Sequence, residues 1–179
     1  MKTMKRFTII LTGVFMLIFA AEKAEAVAPQ GGNPEATETG NASANIITPI
    51  TIEKITDLNF GNIIANSSDG TVTMGTENDV PTYTGVAAPS IAGTRTRSEF
   101  TVEGMSGVNF TIALPADNDI ELTGPASADA MSLTGWTHNS DEVLTDGENT
   151  FQVGATLKVN ANQANGAYSA TFPVTVNYQ

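Results

Sequence analysis

The stretch Gly166-Ala-Tyr-Ser-Ala-Thr-Phe-Pro-Val-Thr-Val-Asn-Tyr-Gln179 indicates the fold class of the protein. Every second residue from Tyr168 to Tyr178 is apolar or aromatic, and the residues between them are mostly polar. Because successive side chains of an extended chain point to opposite faces, this alternation predicts a long β-strand with one buried face. Such a strand has an edge of unpaired backbone groups, so we expect it to pair with an earlier strand or with another chain.

The chain from residue 46 onward repeats this two-residue period in short stretches that are separated by turn residues. The predicted strands are 46–55, 58–64, 71–74, 83–86, 98–102, 108–114, 120–122, 131–133, 151–159 and 168–178. Stretch 151–159 alternates as cleanly as the final one, and we expect these two to form a hairpin at the centre of a sheet. The pattern predicts a single all-β domain over residues 46–179, an antiparallel β-sandwich of immunoglobulin-like topology, with a closed β-barrel as the alternative.

Residues 1–26 have the three-part pattern of a secretory signal peptide. Basic residues at positions 2, 5 and 6 precede an uncharged apolar run over residues 7–21, and the small-residue site Ala24-Glu-Ala26 follows. We expect cleavage after Ala26, with an uncleaved N-terminal anchor helix as the alternative. Residues 27–45 carry prolines and glycines among small polar residues, which predicts a flexible N-terminal tail.

Acidic residues outnumber basic ones, 19 against 8. The predicted signal peptide holds four of the basic and two of the acidic residues, which leaves 4 basic and 17 acidic residues and a net charge of −13 in the remaining chain. Such a surface repels nucleic acid and anionic lipid headgroups, so we expect neither as a partner, and no membrane insertion after signal cleavage. The absence of cysteine excludes disulfides and lipid attachment through a cysteine.

Residue types that support catalysis are scarce in this chain. The single histidine, His138, lies in a polar turn sequence, and we predict an exposed loop histidine rather than a member of a catalytic triad or a metal site. The serines lack the Gly-x-Ser-x-Gly pattern of a nucleophile elbow, and no glycine-rich phosphate loop follows a predicted strand. We therefore expect no enzyme activity and no cofactor.

Two predicted loops are rich in carboxylates. The acidic residues are Asp117, Asp119 and Glu121 in one loop and Asp141, Glu142, Asp146 and Glu148 in the other. Oxygen-rich loops bind calcium with extracellular affinities on the order of 0.1 to 1 mM. The first loop lacks the spacing and the glycine of an EF-hand, so solvated acidic turns are the simpler interpretation and no metal site is predicted.

The final stretch resembles the C-terminal signature of bacterial chaperone–usher fimbrial subunits. The residues that carry the resemblance are Gly166, Phe172, Val174, Val176 and Tyr178. It implies that these residues form an assembly strand, with Gly166 serving the approach to it. It also implies a structural or adhesive protein that passes through the periplasm with a chaperone, associates with fimbrial subunits or with copies of itself, and reaches the cell surface or a fimbrium.

The family resemblance also concerns the N-terminal part of the domain. A fimbrial subunit carries an N-terminal extension with alternating apolar residues, which inserts into a groove of the next subunit. Ile46, Ile50 and Ile52 are candidates for such a donor strand, and they are equally candidates for the first strand of the domain itself.

The body of the chain resembles a second family, of secreted bacterial domains of unknown function. The resemblance is carried by Leu58-Asn-Phe-Gly-Asn62, by Phe151-Gln-Val-Gly-Ala-Thr-Leu157 and by the final strand. It implies no particular activity. The alternative to strand-based assembly is therefore a monomeric extracellular module that binds carbohydrate or protein through the loops between residues 117 and 148.

Overall fold

A computed structural model describes residues 35–125 and 128–179. The predicted signal peptide and the first part of the predicted tail lie outside these residues. Within the described ranges the chain forms nine strands and no helix, and residues 35–50 have no regular secondary structure. A helix long and apolar enough to cross a membrane is absent from these ranges.

The strands follow one another along the chain with turns and loops between them. They are β1 (Thr51–Thr56), β2 (Gly70–Met74), β3 (Thr82–Thr84), β4 (Ser98–Glu103), β5 (Phe110–Ala113), β6 (Glu121–Leu122), β7 (Met131–His138), β8 (Glu148–Val159) and β9 (Thr175–Tyr178). Valine, phenylalanine, leucine and threonine are frequent in them, as expected for strands with one face packed on a core.

The larger sheet is built around β8, which is 12 residues long. Its strand order is β1-β4-β8-β2-β3, with β7 on β8 and β6 on β7. Val153 of β8 pairs with Ser98 of β4 and also with His138 of β7, so these two neighbours lie on opposite edges of β8. All of the pairs are antiparallel.

The final strand, β9, lies in a second sheet and pairs with β5. Phe110 lies opposite Tyr178, and Ile112 lies opposite Val176. The predicted hairpin between β8 and the final strand is therefore wrong. The physical reason is that each of these strands has one apolar face, and the two faces meet across the core instead of lying side by side in one sheet.

Two clusters of buried side chains fill the space beneath the sheets. The first consists of Phe60, Val72, Met74, Val86, Met131, Leu133, Ala155, Leu157 and Val159. The second consists of Phe100, Val102, Phe110, Leu144, Phe151 and Val153. Trp136 packs against both clusters, while Phe172, Val174, Val176 and Tyr178 pack only against the second. The predicted all-β sandwich is confirmed, and the described strands do not close into a barrel.

Two stretches that alternate in sequence are only partly strands in the structure. Stretch 58–64 makes isolated bridges, from Asn59 to Thr96 and from Ile64 to Ala87. The final strand was predicted over 168–178, but ladder pairing begins only at Thr175. Residues of both stretches line the cavity described next.

Candidate strand-acceptor groove

An open cavity of about 790 Å³ lies between residues 58–65 and residues 163–172. We call it the groove. Its lining includes Met131, Leu133, Leu157 and Val159, which belong to the first buried cluster. These four side chains are each at most 5% exposed, so the floor of the groove is the hydrophobic core itself.

The first wall of the groove, residues 58–65, makes backbone hydrogen bonds to residues 87–96. Asn59 N–H donates to Thr96 O at 2.8 Å, and Ile64 N–H donates to Ala87 O at 3.0 Å. Thr96 N–H and Ala87 N–H donate back to the same two residues. Asn62 N–H also donates to Ala92 O at 2.7 Å, and Gly61 has a left-handed φ of 74°, so this wall is an irregular segment rather than a strand of the sheet.

The second wall, residues 166–172, leads into β9. Ser169 exchanges two backbone hydrogen bonds of 3.0 Å with Thr123, and β9 then pairs with β5. Among the described strands, none pairs with the second edge of β9. Gly166, at φ 152°, begins this wall, and a Cβ there would overlap the ring of Pro125, so the glycine permits a close approach between the two segments.

The other edge of the small sheet is covered. Phe110 N–H donates to Glu142 O at 3.0 Å, and Ile112 N–H donates to the Oε1 atom of Glu142 at 3.2 Å. The carboxylate of Glu142 thus takes the place that a strand carbonyl would occupy beside β5. As a result, β9 offers the edge at which the small sheet is able to grow.

His138 lies beside this covered edge. It ends β7, its side chain is 26% exposed, and its Nε2 atom is 4.0 Å from Oε1 of Glu142. Its ring packs edge-on against Phe151 with 6.1 Å between the ring centroids. The prediction of an exposed loop histidine is wrong, because the alternation of β7 continues through Trp136 and directs His138 to the same half-buried side.

The N-terminal candidates divide into two groups in the structure. Ile50 and Ile52 pack against the second buried cluster, and Ile52 belongs to β1. Ile46 is 95% exposed and Ile47 is 51% exposed. We call residues 35–47 the arm: all of them are exposed and without regular structure. Only Ile46 of the three predicted donor residues therefore lies in a segment that is free to pair elsewhere.

The residues of the predicted assembly strand line the sandwich interior on alternate positions. Phe172, Val174, Val176 and Tyr178 are half-buried, and the residues between them are exposed. Phe172 also lines the groove, and its ring lies 4.8 Å from that of Trp136 and 6.3 Å from that of Phe100, measured between ring centroids. Gly166 lines the groove at its other end.

The acidic loops use their polar side chains for local hydrogen bonds. Asp117 accepts a 2.7 Å bond from Gly135 N–H, and Asn118 accepts a 2.8 Å bond from the Lys158 ammonium. Asp141 accepts a 2.6 Å bond from the side-chain amide of Asn149. In the described ranges no three histidine, aspartate or glutamate side chains are grouped so as to hold a metal ion.

The sequence pattern did not reveal the groove, although its walls were recognised as extended stretches. Leu58, Phe60 and the final alternation predict buried faces, but alternation carries no information about which backbone edges are paired. One feature of the sequence does point to the groove. Both of its walls are apolar stretches, and the sequence offers no further alternating stretch that would form a strand between them.

Fold and groove together define a class: an antiparallel β-sandwich with an open cavity above its buried core, lined by two segments that lie outside the regular strands. Residues 50–178 match the model of a domain of unknown function, DUF4402, and the chain belongs to that family. No match was found among curated proteins or among solved structures.

Proposed function

We propose that this protein is a secreted cell-surface structural or adhesive subunit, similar to fimbrial subunits, that assembles by β-strand addition. The observation that carries the proposal is the groove, where two chain segments outside the regular strands flank a floor of buried core residues. Strand addition needs both features, because backbone hydrogen bonds give affinity and alternate apolar side chains fix the register.

The proposed occupant is the arm of a second copy of the chain. The arm belongs to no strand, all of its residues are exposed, and it contains the most exposed large apolar residue of the described ranges, Ile46. Pairing between the arm of one copy and the groove of the next uses two different surfaces. Such a head-to-tail interface does not close on itself unless the rotation between copies permits a ring, so it builds open fibres.

The proposal includes the route to the cell surface. A chain exported by the predicted signal peptide would expose the groove before assembly, and an unoccupied strand-acceptor site is an aggregation hazard in the free subunit. A periplasmic chaperone that occupies the groove in transit is the partner expected from the fimbrial resemblance. Enzyme activity has no part in the proposal.

Deleting residues 27–47 is expected to abolish assembly and to leave a folded domain. The deletion removes the arm but keeps β1, whose residue Ile52 packs in the core. The intact protein is expected to run as a ladder of multimers on an unboiled denaturing gel and as a single band after boiling, while the truncated protein runs as a monomer in both lanes. Circular dichroism checks that the truncated domain is folded.

Two comparisons make this deletion decisive. A shorter deletion of residues 27–40 keeps Ile46 and Ile47 and should retain the ladder. A longer deletion of residues 27–55 removes most of β1, and it should unfold the domain because β4 loses its neighbour on that edge. A ladder that survives removal of the arm contradicts the proposal, and a single band from the intact protein in both lanes favours the monomeric binding module.

A further inference from the structure

The hydroxyl group of Tyr178 joins two backbone groups from distant parts of the chain. It accepts a 2.7 Å hydrogen bond from Met105 N–H and donates a 2.8 Å hydrogen bond to Thr48 O. The ring packs against the second buried cluster. Gly104 makes room for it, because a Cβ at this position would overlap the phenol oxygen. The hydroxyl is therefore held in place by a donor, an acceptor and the surrounding chain.

Thr48 marks the point at which the arm leaves the folded domain. Ile50, two residues later, packs against the core, whereas Ile46 and Ile47 before it are exposed. The bond from Tyr178 to Thr48 O therefore fixes the chain directly beside the exposed arm residues. We call Thr48 the arm root.

Tyr178 also belongs to β9, which follows the second wall of the groove along the chain and has one edge without a partner among the described strands. Tyr178 therefore links two regions of the proposed subunit, the groove side and the arm root. Its backbone lies in the strand beside which an incoming segment would pair, and its hydroxyl holds the root of the subunit's own arm.

We propose that Tyr178 is a positioning residue that couples the occupied groove to the arm of the same subunit. This inference rests on the proposed function. An incoming segment that pairs with β9 restricts the motion of that strand and, through the Tyr178 hydroxyl, of the arm root. Because coupling between two sites is reciprocal, a fixed arm root also favours binding in the groove. In a subunit with a filled groove the arm root is therefore fixed in position. Such a subunit binds the next copy more readily than a free subunit does, so fibres grow at their existing ends.

Amide hydrogen exchange of the chain without residues 27–47, measured residue by residue by NMR, tests the coupling, because this deletion removes the assembling arm and keeps Thr48, Met105 and Tyr178. The probe is a synthetic peptide with the sequence of residues 36–49. The variant is Tyr178→Phe, which keeps the ring and removes the hydroxyl. The matched control is Tyr83→Phe, because the Tyr83 hydroxyl has no hydrogen-bond partner among the described residues.

Without peptide, exchange at the Met105 amide is expected to be about fivefold faster in Tyr178→Phe, the effect of losing one hydrogen bond. With peptide, the wild type is expected to slow exchange at residues 170–172 and 174–176 and at Met105 as well. In Tyr178→Phe the peptide should protect only the strand residues, and Tyr83→Phe should behave as the wild type. Unchanged exchange at the Val153 amide shows that the domain has not been destabilised as a whole.

Failure of the coupling and failure of the proposed function give different results. If the peptide leaves residues 170–176 unprotected in the wild type, both strand addition by the arm and the coupling are wrong. If the peptide protects those residues but not Met105, or protects Met105 equally in Tyr178→Phe, strand addition stands and the coupling is overturned.

Discussion

Replacing Phe151 with alanine is expected to lower the free energy of unfolding by about 3–5 kcal/mol. Phe151 is fully buried in the first half of β8, where it pairs with Phe100 of β4. Its ring stacks on that of Phe100 at 5.8 Å between centroids and contacts the edge of His138. The truncation removes apolar area from the core and leaves a cavity between the two sheets, since this ring belongs to the cluster that β9 covers.

This loss is a large share of the roughly 5–15 kcal/mol by which a typical domain is stable. Thermal unfolding followed by circular dichroism should show a midpoint that is lower by roughly 6–20 °C. The matched control is Thr150→Ala, on the same strand but on the exposed face, where the hydroxyl bonds only to Thr101. It should cost about 1 kcal/mol or less. Equal losses from both substitutions would contradict the assignment of the buried face of β8.

The alternation of stretch 151–159 was sufficient to identify this buried face. Phe151, Val153, Ala155, Leu157 and Val159 are all buried in the structure. The periodicity predicts burial because it reports which side chains share one face of an extended chain. It does not report which strand lies alongside, because ladder hydrogen bonds join backbone groups that every residue possesses. For this reason the alternation correctly predicted the buried faces of β8 and the final strand, but the prediction that they pair in a hairpin was wrong.

The same limit applies to the groove and to Tyr178. Residues 58–64 alternate like a paired strand, yet in the structure they make only isolated bridges to residues 87 and 96, which depends on the topology of the whole chain. The two partners of the Tyr178 hydroxyl are backbone atoms of Thr48 and Met105. The sequence therefore predicted a half-buried tyrosine on a sheet face, and the role of its hydroxyl required the fold.

Replacing Ile64 with aspartate is expected to abolish assembly and to leave the fold of the free subunit intact. Ile64 lines the groove and is 49% exposed, so a polar substitute remains solvated while the groove is empty. Its backbone bonds to Ala87 do not involve the side chain. An inserted strand would cover the new carboxylate, and burying an unpaired charge costs several kcal/mol.

That cost corresponds to a loss of affinity of about 100-fold or more for the peptide of residues 36–49. Fluorescence anisotropy of the labelled peptide measures the affinity, and the unboiled gel shows whether multimers form. Ile91→Asp is the matched control, since it makes the same change at a residue that is 78% exposed and lies outside the groove lining. Because both variants add one negative charge to an already acidic chain, equal losses would indicate general repulsion between subunits. Loss confined to Ile64→Asp would locate the binding surface in the groove, and full affinity in both variants would exclude the groove as the site of strand addition.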